Sequence, residues 1–340
     1  MLPEPLFDVL RAYATLRPPK SIERVELPFS TAHVFLLEHI LLNRHFQDYP
    51  PSKQYQDEID ERIYAHHIQL MQELSMLSRS LVTSAPPASY MTYLWPTQRP
   101  PLRAVYPGYA NATLLESRTT IESGTTGLRT WSASLILAQY ILDHPELVEN
   151  RRVLELGCGA GFMGIVAASV QLQDQSTAGS LWLTDVNESV LQRCEDNLRL
   201  QCNKSHEHPD LHLRFLDWFD AVDSEGRSSV SALFAEARPD VILGADVVYD
   251  PSIIPPLVET LVLALTQPHG GEKREAYIAL TQRNEETLAA FLRQVEQRLC
   301  VETICTELAA RNIFTSATEL GQDAAAQTVN IFRIRAQTAV

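Results

Sequence analysis

Two periods share this chain. Over its later part, short apolar runs take turns with longer segments whose apolar residues recur every three or four positions. The runs at 152–156, 181–185, 211–216, 241–245, 277–281, 303–308 and 330–334 predict strands. The segments at 131–142, 162–170, 188–201, 253–266 and 285–299 predict helices. Such alternation implies a mainly parallel, doubly wound sheet, because parallel neighbours need a crossover between them. Between the last two strands lies only AARNIFTSATELGQDAAAQ, which has no clear helical period. That predicts a closing antiparallel pair at the end of the sheet. Upstream, TLLESRTTIES alternates as a strand or hairpin arm does.

Residues 1–83 read as helical. PLFDVLRAYATL has helical spacing and stops at Pro18 and Pro19, and STAHVFLLEHILLNRHF opens at a Ser30 or Thr31 cap. QYQDEIDERIYAHHIQLMQELSMLSRSL sets Ile59, Ile63, Ile68, Met71 and Leu74 on one stripe. Its adjacent His66 and His67 cannot share a helix face, which argues against a metal pair. Prolines crowd 84–107 and exclude a helix or a central strand. Tyr90, Tyr93, Leu94 and Trp95 in that segment predict that it packs against the fold. The expected organisation is a smaller helical extension over 1–83, a proline-rich linker over 84–107 and an α/β domain over 108–340.

Composition narrows the function. A formal net charge of −14 over 340 residues disfavours nucleic acid and anionic membranes. It suits a basic protein partner or a cationic small molecule, or serves solubility alone. No apolar run approaches the ~20 residues of a membrane span, and MLPEPLFDVLRAY has no basic leader region. The five cysteines, Cys158, Cys194, Cys202, Cys300 and Cys305, show neither CxxC nor zinc spacing. The expectation is a cytoplasmic protein with free thiols and no metal. No coiled-coil seam is evident, and a monomer is expected.

The chemistry gathers at VLELGCGAGFMG. In an open parallel sheet the ligand sits at the carboxyl ends of the strands, over the first strand-to-helix turn. Gly157, Gly159 and Gly161 let backbone approach a ligand there. The pattern is GxGxG, with Phe162 where a dinucleotide fingerprint needs its third glycine. Glu155 at the lip of the turn would repel a pyrophosphate and favour an ammonium or sulfonium. Cys158 is either a small filler of the turn or a nucleophile. Asp185, ending the next strand, is placed to accept from ribose hydroxyls. Asp217 can accept from an adenine amino group, and Trp218 can offer a face to the base. Gly244 and Ala245 leave room beside the ligand, while Asp246 and Tyr249 project beyond them. Asp250 caps the following helix, which leaves Asp246 available for another role. A nucleoside with a cationic tail fits best, and S-adenosyl-L-methionine has those parts.

These residues resemble a Rossmann-like, class I seven-strand methyltransferase. The Asp246-Val-Val-Tyr249 motif and GTTGLRTWSASLILAQYIL narrow the likeness to methyltransferase family 16. Within it, SGTTGLRTW, LDWFD and IALTQRNEET look like the lysine methyltransferases of eukaryotic translation elongation factor 2. The likeness runs over 115–299. It implies that Trp131 lines the cofactor pocket, that Gly157, Cys158, Gly159, Trp218 and Ala245 touch the cofactor, and that Asp246 and Tyr249 serve catalysis. It also implies elongation factor 2 as protein substrate and argues against a nucleic-acid base. Arg129 is a candidate for the methionine carboxylate. The expected mechanism has Asp246 aim the lysine, Tyr249 orient its amine, and water take its proton. Alternatives are a nucleotide-dependent oxidoreductase, a methyltransferase acting on another protein or small molecule, and a noncatalytic cofactor-binding scaffold.

Overall fold

The computed structural model describes residues 88–97, 108–122, 124–173, 179–266, 274–314 and 327–337. The helices expected over 1–83 lie outside the described residues. Ala88–Val340 forms a compact unit of its own.

The apolar runs become a seven-stranded sheet. Its strands are β3 (Val153–Leu156), β4 (Leu181–Asp185), β5 (Leu211–Phe215), β6 (Val241–Ala245), β7 (Glu275–Thr281), β8 (Leu299–Leu308) and β9 (Thr328–Ala336). Their spatial order is β5-β4-β3-β6-β7-β9-β8. The first five are mutually parallel, and β9 runs antiparallel to both β7 and β8. The order reverses at β3, so the β3 and β6 tips form the crevice where a ligand belongs.

Helices cover both faces. They are α1 (Ser132–Asp143), α2 (Phe162–Gln171), α3 (Glu188–Leu198), α4 (Arg227–Ala237), α5 (Ile254–Thr266) and α6 (Glu285–Glu296). The period of two sorts each strand between faces. Val153, Leu181, Leu183, Val241 and Leu243 pack under α1 and α2. Leu154, Leu156, Trp182 and Ile242 pack under α4 and α5. Asn187 and Asn284 cap α3 and α6, each accepting two backbone N–H groups. Helix α4 is missing from the expected elements. Its serines blur the pattern, although Val230, Phe234 and Ala237 are buried at helical spacing.

The proline-rich segment holds a strand. Tyr93, Leu94 and Trp95 are buried as expected, whereas Tyr90 is exposed. Strand β1 (Ser89–Pro96) pairs antiparallel with β2 (Tyr109–Glu116) in a separate two-stranded sheet. This corrects the linker reading for 89–96, because proline at a strand end leaves the ladder within it intact. The far edge of β2 is gripped by two side-chain amides. Asn203 exchanges two 2.7 Å bonds with Thr113 N–H and C=O. Asn197 accepts from Leu115 N–H at 2.7 Å, and donates to Leu115 C=O at 3.3 Å and Ala160 C=O at 2.9 Å. Each amide stands in for a neighbouring strand, so buried backbone groups stay paired.

Candidate active site

A cavity of about 430 Å³ opens over the tips of β3, β4 and β6 and is walled by 124–131. Trp131, Glu155, Gly157, Cys158, Gly159, Asp185, Asp217, Trp218, Ala245, Asp246 and Tyr249 all line it. Gly161 does not. It begins α2 at φ +96°, and an added Cβ would meet Cys194 Sγ at 2.9 Å. Its glycine answers helix packing and a left-handed turn, which corrects its assignment to the ligand.

Gly157 and Gly159 have other reasons to be glycine. Both have positive φ, +68° and +53°. A Cβ on Gly157 would lie 3.2 Å from Val247 and 3.7 Å from Trp218, toward the cavity. A Cβ on Gly159 would sit 3.0 Å from the carbonyl of Gly127, so the two glycine loops touch. Cys158 is buried, and a hydrogen bond to Cys194, with burial behind it, holds its thiol well above the ordinary range. That suits a filler and disfavours a nucleophile.

Two acids meet at the crevice. Glu155 is 3% exposed, and its Oε2 has no hydrogen-bond partner among the described residues. Burial pushes its carboxyl well above the ordinary range, and Asp185 pushes it further. Asp185 accepts from Gly159 N–H at 3.3 Å and Asn187 N–H at 3.1 Å, bracing the turn. Burial still raises its pKa. Asp217 accepts from Phe219 N–H at 2.9 Å at the start of a short 3₁₀ turn.

Asp246 departs from expectation. Asp250 does cap the next turn, at 2.7 Å to Ser252 N–H. Asp246 is nevertheless engaged. Its carboxylate, 6% exposed, accepts from Thr281 N–H, Thr281 Oγ1 and Arg283 Nη2, each at 2.9 Å. It has φ +54°, and its own N–H donates to Ala279 C=O at 2.8 Å. The carboxylate therefore pins the β6 tip to β7. Arg283 continues to the face of Trp131, 5.0 Å from its centroid, and Arg129 lies 5.2 Å from the same ring. Trp131 Nε1 donates to Thr126 C=O at 3.0 Å. Tyr249 stands 64% exposed at the mouth.

Sequence reasoning missed Glu116 and the bonds from Thr281 and Arg283 to Asp246. Glu116, ending β2, is buried. It accepts from Tyr93 Oη at 3.0 Å, Thr130 N–H at 3.2 Å and Thr130 Oγ1 at 2.5 Å. It ties the hairpin to the wall that carries Arg129 and Trp131. No local pattern marks a glutamate that meets a threonine fourteen residues on.

The cavity accepts S-adenosyl-L-methionine by its chemistry. An orphaned buried carboxylate oxygen needs a cation or donor. Bare backbone at Gly157 leaves room for the ligand, and an acid at the β4 tip suits ribose hydroxyls. A diphosphate would meet the carboxyl groups of Glu155 and Asp185 instead.

A profile of the family described as lysine methyltransferase matches residues 112–298, from β2 to the end of α6. The chain belongs to the lysine methyltransferase family. Among relatives, it is 37% identical over 181 residues to the protein-lysine N-methyltransferase EFM3 of Chaetomium thermophilum, an alignment covering 53% of this chain and 50% of that one. It is 28% identical to the protein-lysine N-methyltransferase EEF2KMT of Bos taurus, over 77% of this chain and 75% of that one. The Homo sapiens protein of that name is 30% identical, over 72% and 70%. The match to the fungal relative thus spans half of that relative's length. The family's matched region holds every residue that lines the cavity.

Proposed function

We propose that this chain transfers a methyl group from S-adenosyl-L-methionine to a lysine side chain of a protein, and that the protein is translation elongation factor 2. The observation that carries the transfer is the orphaned Glu155 oxygen beside the two cavity-facing glycines and Asp185. The named substrate draws support from the relatives called EEF2KMT and from the motifs around Trp131, Trp218 and Thr281.

When bound, the cofactor supplies an electrophilic methyl on a sulfonium, and in-line attack needs alignment above all. Gly157, Gly159, Asp185 and Trp218 hold the adenosine part in this reading, and Glu155 faces the cationic tail. A lysine amine must lose a proton before it attacks, which costs about 4–5 kcal/mol at neutral pH. A free carboxylate beside the amine would raise that cost. Asp246 is already neutralised by Arg283, so it acts here by fixing the β6 tip and Arg283 rather than by holding the ammonium. Tyr249 at the mouth orients the incoming amine. Arg129 and Arg283, both against Trp131, disfavour a second positive charge nearby.

The test uses the purified full chain, methyl-labelled cofactor and purified elongation factor 2, with mass spectrometry to locate the label. Label on one lysine supports the reading. Binding of the cofactor by calorimetry with no label on elongation factor 2, but label on another protein of an extract, removes the named substrate. Tight uptake of a dinucleotide with no heat from the methyl donor removes the whole reading.

A further inference from the structure

Around the mouth of the cavity the surface is apolar where soluble proteins are usually polar. Val186, Phe219 and Tyr249 line the cavity, and each is at least half exposed. Phe215, which ends β5 at the same edge, and Val222, which follows the Trp218–Ala221 turn, are each 54% exposed. Five large apolar side chains on the loops of one sheet edge are more than the scattered singles of an ordinary surface.

The loops after β4, β5 and β6 carry charge of one sign, while Arg129 and Arg283 sit against Trp131 at the cavity wall. The segments 185–188, 216–226 and 246–252 follow β4, β5 and β6, and carry eight acidic residues with no lysine or arginine. Three of the eight belong to the site: Asp185 and Asp217 serve the cavity, and Asp246 is paired with Arg283. Glu188, Asp223, Glu225 and Asp250 are exposed, and Asp220 is half-buried. Asp223 and Asp250 accept backbone N–H bonds from their own turns. Those bonds hold the side chains in place and leave the charge unneutralised. Arg227, which follows the second of these segments, and Arg298 are both paired with Glu259.

We propose that this rim is the docking surface for the protein substrate, and that it takes a basic segment in which the target lysine has a neighbouring apolar residue. The inference rests on the reading of the site as a protein-lysine methyltransferase and adds the chemistry of what it accepts. The apolar residue packs on Phe219, Val186 and Val222, while arginines or lysines beside the target face Asp220, Asp223 and Asp250. Charge complementarity of this kind raises the association rate and selects against acidic segments. Nucleic acid is repelled by the same field.

The probe is a pair of short synthetic peptides that share one central lysine and one leucine. One has arginines in the flanks and the other glutamates. Binding to the full chain is read by fluorescence anisotropy at several salt concentrations. The variant is Asp220→Asn, Asp223→Asn and Asp250→Asn together, because asparagine keeps the turn and cap bonds. Calorimetry with S-adenosyl-L-methionine and thermal unfolding check its fold, and both stay at wild-type values.

Wild-type protein binds the arginine peptide about tenfold more tightly than the glutamate peptide, and the preference shrinks as salt rises. The variant loses that preference and its salt dependence, and Val222→Ser weakens both peptides alike by about threefold. Equal binding of the two peptides by wild-type protein overturns the proposal, as does an undiminished preference in the variant. So does a sedimentation result in which the rim variant turns a dimer into a monomer, since a second copy then occupies the surface. Mass spectrometry of elongation factor 2 separates this inference from the one beneath it. If elongation factor 2 takes no label while the peptides are still discriminated, the named substrate falls and the rim stands. If it takes label at the wild-type rate and salt slope with the variant, the rim falls and the activity stands.

Discussion

Glu155 carries a conflict between stability and binding. A carboxyl whose pKa is raised in the folded state contributes stability below the ordinary carboxylate range and loses it as pH rises through the folded value. At neutral pH this buried carboxyl therefore opposes folding of the ligand-free protein. Glu155→Gln should raise the unfolding temperature of the ligand-free protein near pH 7 and weaken S-adenosyl-L-methionine by about tenfold, or roughly 1.4 kcal/mol. Differential scanning and titration calorimetry measure the two. A variant that melts lower and binds normally would show that Glu155 faces no cation. Asp246 allows the reverse separation. Asp246→Ala strips the bonds to Thr281 and Arg283 and should cost about 1–3 kcal/mol in urea unfolding. Asp246→Asn, which tolerates the left-handed backbone, should keep the bond from Thr281 N–H, lose the ion pair with Arg283, and cost less than alanine. A direct grip on the substrate lysine predicts instead that both variants keep wild-type stability and lose turnover.

At the scale of elements, the β1–β2 hairpin is docked by amides more than by a shared ladder. Asn203→Ala leaves the N–H and C=O of Thr113 without their partners. The loss should be about 1–3 kcal/mol. Hydrogen exchange should report faster exchange at Thr113 and Leu115 while β3, β4 and β6 keep their protection. Uniform loss across the large sheet would mean that the hairpin and sheet open as one unit. The same hairpin reaches the cavity through Glu116. Glu116→Ala should free Thr130 and raise the KM for S-adenosyl-L-methionine by about tenfold, with kcat changed much less. Glu116→Gln, which can still accept from Thr130, should restore most of that loss. An equal fall in kcat for both variants would point to general misfolding instead.

For the whole molecule, ligand and fold share one equilibrium. At about a hundredfold above its Kd, S-adenosyl-L-methionine should stabilise the chain by about 2.7 kcal/mol, and NAD should add nothing. Thermal shift with both ligands reads this directly. A shift with NAD alone would contradict the acids at the strand tips. The fold behind these tips was legible wherever one strand or helix carries its own period. Runs such as 181–185 and 241–245 are short, apolar and buried on both faces, and GCGAG marks a turn that only glycine makes easily. The sequence by itself therefore determined the sheet and its helices, the antiparallel close, and the acids and glycines around one crevice. Only the tertiary structure decided how those groups are spent. It turned Asp246 toward Thr281 and Arg283, and set Gly161 against Cys194. It brought Glu116 to Thr130 and made Asn197 and Asn203 the partners of β2. The physical reason is reach. Periodicity and turn chemistry act between near neighbours in the chain, whereas a side-chain hydrogen bond is set by which distant backbone passes within 3 Å of it.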